Sequence, residues 1–117
     1  MKHRTNSRIL NRERSERLSL LRGLTSDLLK YGSLVTTVPK AKELRRYFEP
    51  LVTKARAGVN RHTYIVLAKH LRAPEDLERL AEVAKTHANR PGGYVRISKL
   101  PTKRQDNAPM ARIDILK

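Results

Sequence analysis

The sequence predicts a single α+β domain of about four helices packed on a small mixed or antiparallel three-stranded sheet, with a basic N-terminal arm ahead of it. Three observations carry that prediction. Apolar residues recur every three to four positions between Ser15 and Ala84, the period changes to two after Arg90-Pro91-Gly92-Gly93, and the first fourteen residues are polar and cationic. A length of 117 residues suits one compact domain. It divides into an arm, residues 1–14, and a globular unit, residues 15–117.

The arm carries Lys2, His3, Arg4, Arg8, Arg12 and Arg14 with no acid before Glu13. Ile9 and Leu10 give it too little to bury, so it is expected to order only against a partner. Arg4, Arg8 and Arg12 stand at i, i+4 spacing, which an induced helix would gather on one side. An Arg-rich, acid-poor start is also the look of a transit peptide.

A first helix is expected from Ser15, a suitable N-cap, to Gly32, a suitable left-handed C′ residue, with Leu18, Leu21, Leu24 or Thr25, and Leu28 inward. The β-branched run Leu34 to Val38 reads as a strand stopped by Pro39. Pro39 suits the first turn of a second helix, whose Ala41, Leu44, Phe48, Leu51, Val52 and Ala55 share one face. Lys42, Arg45, Arg46 and Arg56 lie on its other side with Glu49 among them. Pro50 is expected to kink this helix and Gly58 to end it. Asn60 is placed to cap a third helix that buries Tyr64, Leu67, Ala68 and Leu71. Pro74-Glu75-Asp76 starts a fourth, its acids favoured by the helix dipole, with Leu77, Leu80, Ala81 and Ala84 inward. The acids Glu75, Asp76, Glu78 and Glu82 make this the helix least suited to face a polyanion. Val95 and Ile97 then alternate with Tyr94, Arg96 and Ser98, and Ala111, Ile113 and Ile115 with Met110, Arg112 and Asp114. These are two antiparallel strands joined by a polar loop, Pro101 to Asn107, with Lys103 and Arg104 at its tip.

Lys and Arg number 26 against 11 Asp and Glu, a formal charge of +15. Self-repulsion at that density points to a polyanionic partner. No apolar run is long enough for a membrane span, and the absence of cysteine excludes disulfides and Cys-ligated metal sites. The four histidines have no metal-ligand spacing and read as surface or helix-end residues. No nucleophile elbow, phosphate loop or dinucleotide fingerprint occurs, so nothing marks an enzyme, a cofactor or a small-molecule substrate. Three elements are cationic: the arm, the outer side of the second helix, and the Lys103-Arg104 loop. Their charges are mostly Arg, whose planar fork binds phosphate bidentately. With five aromatic residues in the chain, recognition of folded RNA through phosphates and shape fits better than a base-stacking platform.

Met1-Lys2-His3-Arg4, Leu10-Asn11-Arg12, the block Thr36 to Arg45, Glu49-Pro50-Leu51, Gly92 to Ile97, and Asp106 to Ala111 together resemble the bacterial large-subunit ribosomal protein family L-seventeen. The resemblance runs in order along nearly the whole chain. Ser7 departs from the glycine frequent there, and the stretch from Gly58 to Asn89 matches in pattern only. The resemblance implies a cytoplasmic, ribosome-bound structural protein, contacting large-subunit rRNA and neighbouring ribosomal proteins near the polypeptide exit region. Carried onto the matching positions, it implies RNA contacts at Asn11, Thr36, Thr37, Lys40 and Arg96, beside the charged Lys2, His3, Arg4, Arg8, Arg12, Arg14, Lys42, Arg45, Arg46, Lys103 and Arg104. The other readings of this charge are a free-standing nucleic-acid regulator or nucleoid-type DNA binder, which lacks a clear recognition helix here, and a basic ribonuclease, which lacks a paired acid and base.

Overall fold

The computed structural model describes residues 10, 12–58 and 60–116, the side chains of residues 102 and 103 excepted. The chain forms α1 (Arg14–Tyr31), β1 (Ser33–Thr37), α2 (Val38–Arg56), α3 (Arg61–Ala68), α4 (Pro74–Thr86), β2 (Val95–Lys103) and β3 (Pro109–Ile115). Four helices and an antiparallel three-stranded sheet agree with the expected α+β class. The expected arm falls largely outside the described residues.

Helix α1 starts one residue before Ser15, and Glu13 holds the N-cap position, its carbonyl accepting from Arg17 N–H at 2.8 Å. Glu13 and Glu16 place negative charge at the positive end of the helix. Gly32 ends it at φ 78° and donates to the Leu28 carbonyl at 2.8 Å, the left-handed closure that a Cβ would disfavour. Val38 closes no strand; it opens α2, with Pro39 in the first turn where a missing N–H costs little. The helix continues across Pro50, which is exposed and so presents its missing N–H on the solvent side.

All six expected inward residues of α2 are buried, and Ala41, Leu44, Phe48 and Val52 have no exposed surface. Leu44, Phe48, Leu51, Val52 and Ala55 meet Leu28, Leu67, Leu80, Tyr94 and Ile113 in the main core, while Ala41 packs with Val38 and Ala111 in a smaller cluster. Each large side chain removed from water here contributes about 1.5–3 kcal/mol, set against the chain entropy it costs. Helix α3 differs from expectation: Tyr64 is half exposed and Ala68 is exposed. The helix is eight residues long, so it reaches the core through Leu67, and Leu71 is delivered by the connection after it. Asn60 caps it as expected, its Oδ1 accepting from Thr63 N–H at 2.9 Å. Helix α4 starts at Pro74, and Asp76, fully buried, accepts from Ala73 N–H at 3.3 Å and from Arg79 at 3.2 Å.

The strand order is β1-β3-β2, with β3 central and both pairings antiparallel. Leu34 and Ile97 flank Ile113, and Thr36 flanks Ala111, on the side facing the helices. Tyr94 departs from the expected alternation. It precedes β2, after Gly93 at φ 68°, and is wholly buried instead of lying outward with Arg96 and Ser98. The loop is shorter than expected: β2 runs to Lys103, which pairs with Pro109 after an irregularity between Lys99 and Lys103. Pro101 lies in that interval and has no N–H to give to a ladder.

Candidate nucleic-acid interface

Helix α2 presents a cationic surface. Burial of its apolar face determines which way the rest of the helix points, so Arg45 and Arg46 stand exposed and Lys40 and Lys42 half-buried beside them. Glu49, the acid of this side, is engaged elsewhere: its carboxylate accepts from Gly93 N–H at 3.1 Å and ties the Gly92-Gly93 turn to the helix. Arg56 is not part of the outer surface. Its guanidinium turns inward, donating to the Tyr94 hydroxyl at 2.7 Å and to the Arg90 carbonyl. Thr53 and Arg56 bonding to that phenol hold its pKa below the ordinary tyrosine value. This is a structural role that the charge of Arg56 conceals in the sequence.

The uncovered side of the sheet carries Arg96, exposed and in register with Asp114, which also takes Arg112 at 3.0 Å. Thr37 stands opposite Met110. Thr36, its neighbour, alternates to the other side and is buried against the helices. Arg104 sits in the turn between β2 and β3, pairing with Asp106 at 3.1 Å. Ala108 N–H donates to the same carboxylate at 3.2 Å, and with Arg104 it holds the Asp106 pKa below the usual carboxylate value. Lys103 has left the tip of the loop for the end of a strand. Arg14 is exposed at the start of α1, and Arg12 lies half-buried just before it with its Nε unpartnered among the described residues. Lys2, His3, Arg4, Arg8 and Asn11 lie outside the described residues.

The structure therefore brings Lys40, Lys42, Arg45 and Arg46 together on one helix, and places Arg96, Arg104 and Arg14 on other elements. It also assembles a group that sequence spacing did not reveal. The Tyr47 hydroxyl donates to the His70 carbonyl at 3.1 Å, lies 3.2 Å from His70 Nδ1, and has the Arg22 guanidinium beside it. Burial raises the Tyr47 pKa, and Arg22 opposes that rise. His70 is shifted down, first by burial and then by Lys54, Arg22 and Lys69. Among the described residues no group of three His, Asp or Glu is placed to hold a metal ion, and no helix is long and apolar enough to cross a membrane.

The family described as Ribosomal protein L17 matches residues 20–116. The chain is 43% identical over 117 residues to the large ribosomal subunit protein bL17 of Gemmatimonas aurantiaca, covering 99% of this chain and 98% of the relative. The chain belongs to the ribosomal protein L17 family. A second L17 relative, the large ribosomal subunit protein bL17 of Sulfurovum sp., is 42% identical over 118 residues, covering 99% of this chain and all of its own. The L17 match includes α2, the turn with Arg104 and all three strands, so every basic residue of the described fold except Arg12, Arg14 and Arg17 falls within it.

Proposed function

We propose that this chain is a non-catalytic structural constituent of the large ribosomal subunit, in the bacterial cytoplasm. It binds large-subunit rRNA through the Arg and Lys side chains of α2, Arg96 and the Arg104 turn, together with the basic residues 1–14. Neighbouring large-subunit proteins near the exit region are its further partners. The observation that carries the reading is the near full-length likeness to two chains named as large-subunit proteins, in a fold that exposes Arg45 and Arg46 opposite its core. Lys and Arg release the counterions condensed on closely packed phosphates, which lowers the cost of bringing RNA helices together. The packed domain fixes where those charges stand, and the arm extends their reach.

A tagged full-length chain expressed in bacteria should sediment with large subunits on a sucrose gradient and crosslink to their rRNA under ultraviolet light. If it binds about 6 to 10 phosphates, its affinity for rRNA should fall by roughly three to five decades between 50 and 200 mM salt. A chain that stays at the top of the gradient and prefers duplex DNA to structured rRNA is a free-standing DNA binder instead.

A further inference from the structure

The cluster around Tyr47 is cationic without being part of the surface on which Lys42 and Arg45 lie. Tyr47 follows Arg45 by two residues, about 200° round the helix, so it faces α1 and the end of α3. There it meets Arg22 from α1 and His70 from the connection after α3, with ring centroids of Tyr47 and His70 5.7 Å apart, edge to face. Lys54 lies two turns further along the same flank of α2, and Lys69 beside His70. Arg72 reaches back to α1 at Gly23, where a Cβ would come within 2.8 Å of its Nη2 and 3.2 Å of its Cζ. Glycine is a poor residue for a helix interior, and here the space it leaves is taken by the guanidinium of a residue that remains exposed. Arg22, Lys54, Lys69 and Arg72 form no ion pair among the described residues. The charges that shift His70 are those of Lys54, Arg22 and Lys69, all positive. Like charges gathered within a Debye length oppose folding, and a bound polyanion reverses the sign of that term.

We propose that the junction of α1, α2 and the α3–α4 connection is a second RNA-phosphate site, in which Arg22 is held by Tyr47, Arg72 lies over Gly23, and Lys54 and Lys69 flank them. The proposal deepens the rRNA-binding reading and rests on it. The two guanidiniums suit bidentate contact with backbone phosphate, and the lysines act as mobile point charges at the margin. A protein with cationic groups on both flanks of α2 contacts two backbone segments, which a single surface does not.

The test measures binding of the full chain to large-subunit rRNA transcribed in vitro, as the slope of log affinity against log salt, with thermal melting in parallel. Lys54→Gln with Lys69→Gln, both exposed, relieves like-charge repulsion, so it should not lower melting, and it should reduce the slope by roughly 1 to 2, the loss of one or two phosphate contacts. Arg22→Gln with Arg72→Gln should do the same if the variant folds. Gly23→Ala keeps every charge, adds a better helix former and displaces the Arg72 guanidinium, so it should melt no lower yet bind rRNA several-fold more weakly. Unchanged slope in the lysine variant and unchanged affinity in Gly23→Ala, while Arg45→Gln with Arg46→Gln still lowers the slope, overturn this site and leave the rRNA reading intact. Absence of rRNA binding by the unaltered chain overturns both.

Discussion

Replacement of Phe48 by Ala tests whether the two sides of α2 are separable, one for the fold and one for RNA. Phe48 is fully buried between the sheet and the other helices, so truncation removes its transfer free energy and leaves a cavity. The cost for a large aromatic in such a place is about 3–5 kcal/mol. With an unfolding entropy of about 2.1 cal/mol/K per residue, a chain of 117 residues loses about 0.25 kcal/mol per degree. The melting temperature should therefore drop by roughly 12–20 °C in a calorimetric or circular-dichroism melt. Well below the new midpoint, rRNA affinity should stay within about twofold, because Phe48 touches no solvent. Arg45→Gln with Arg46→Gln should behave in the opposite way, with a melting temperature within a few degrees of the parent and weaker binding. A drop of less than about 4 °C for Phe48→Ala, or a large one for the arginine pair, would refute the assignment of the helix faces.

Asp76→Ala removes the side chain that satisfies the Ala73 N–H, and it also frees Arg79, so melting should fall by an amount equivalent to about 1–3 kcal/mol, recovered only in part by Asp76→Asn. His70 has a folded-state pKa below its ordinary value of 6.5, so the unfolded chain takes up its proton first as pH falls. Stability is then fully present above the ordinary value and declines as pH drops through it; a melt series from pH 7.5 to 5.5 should show this, and His70→Gln should flatten the curve. A chain starting at Ser15 loses Lys2, Arg4, Arg8, Arg12 and Arg14 and, among the described residues, no core residue, so it should melt cooperatively, bind rRNA much more weakly and enter assembling large subunits poorly. Loss of cooperative melting would place the arm in the core.

The parts of the fold that were legible are those written as a period within one element. The α2 face, from Ala41 to Ala55, follows from turns of 3.6 residues, and Ala111 and Ile113 from strand alternation. Tyr94 was misread because alternation holds only inside a strand, and it lies one residue ahead of β2, where the glycine turn redirects it into the core. Tyr64 and Ala68 were misread because periodicity does not report how short a helix is. In the candidate interface, Arg45 and Arg46 were legible as the complement of a buried face. Arg56 has the same charge and a different role, decided by a tyrosine 38 positions away. The Arg22–Tyr47–His70 group draws on three elements, and no local spacing connects residues that meet only after folding. For these the usable signal was the glycine in mid-helix at Gly23, a local disadvantage that its neighbour Arg72 explains.

The central position of β3 has a consequence for how the protein is made. Both outer strands pair with it and neither with the other, so Leu34 and Ile97 wait for Ile113 before any ladder forms. During synthesis the helices are free of the ribosomal tunnel while the sheet beneath them does not yet exist, and the apolar side of α2 has only α1, α3 and α4 to cover it. Completion of the domain thus waits for β3 and is dominated by contacts distant in sequence, which slows the final step and leaves a cationic, partly collapsed chain exposed to stray polyanions. An amber codon ahead of Pro109 would remove not one strand but every strand pairing among the described residues.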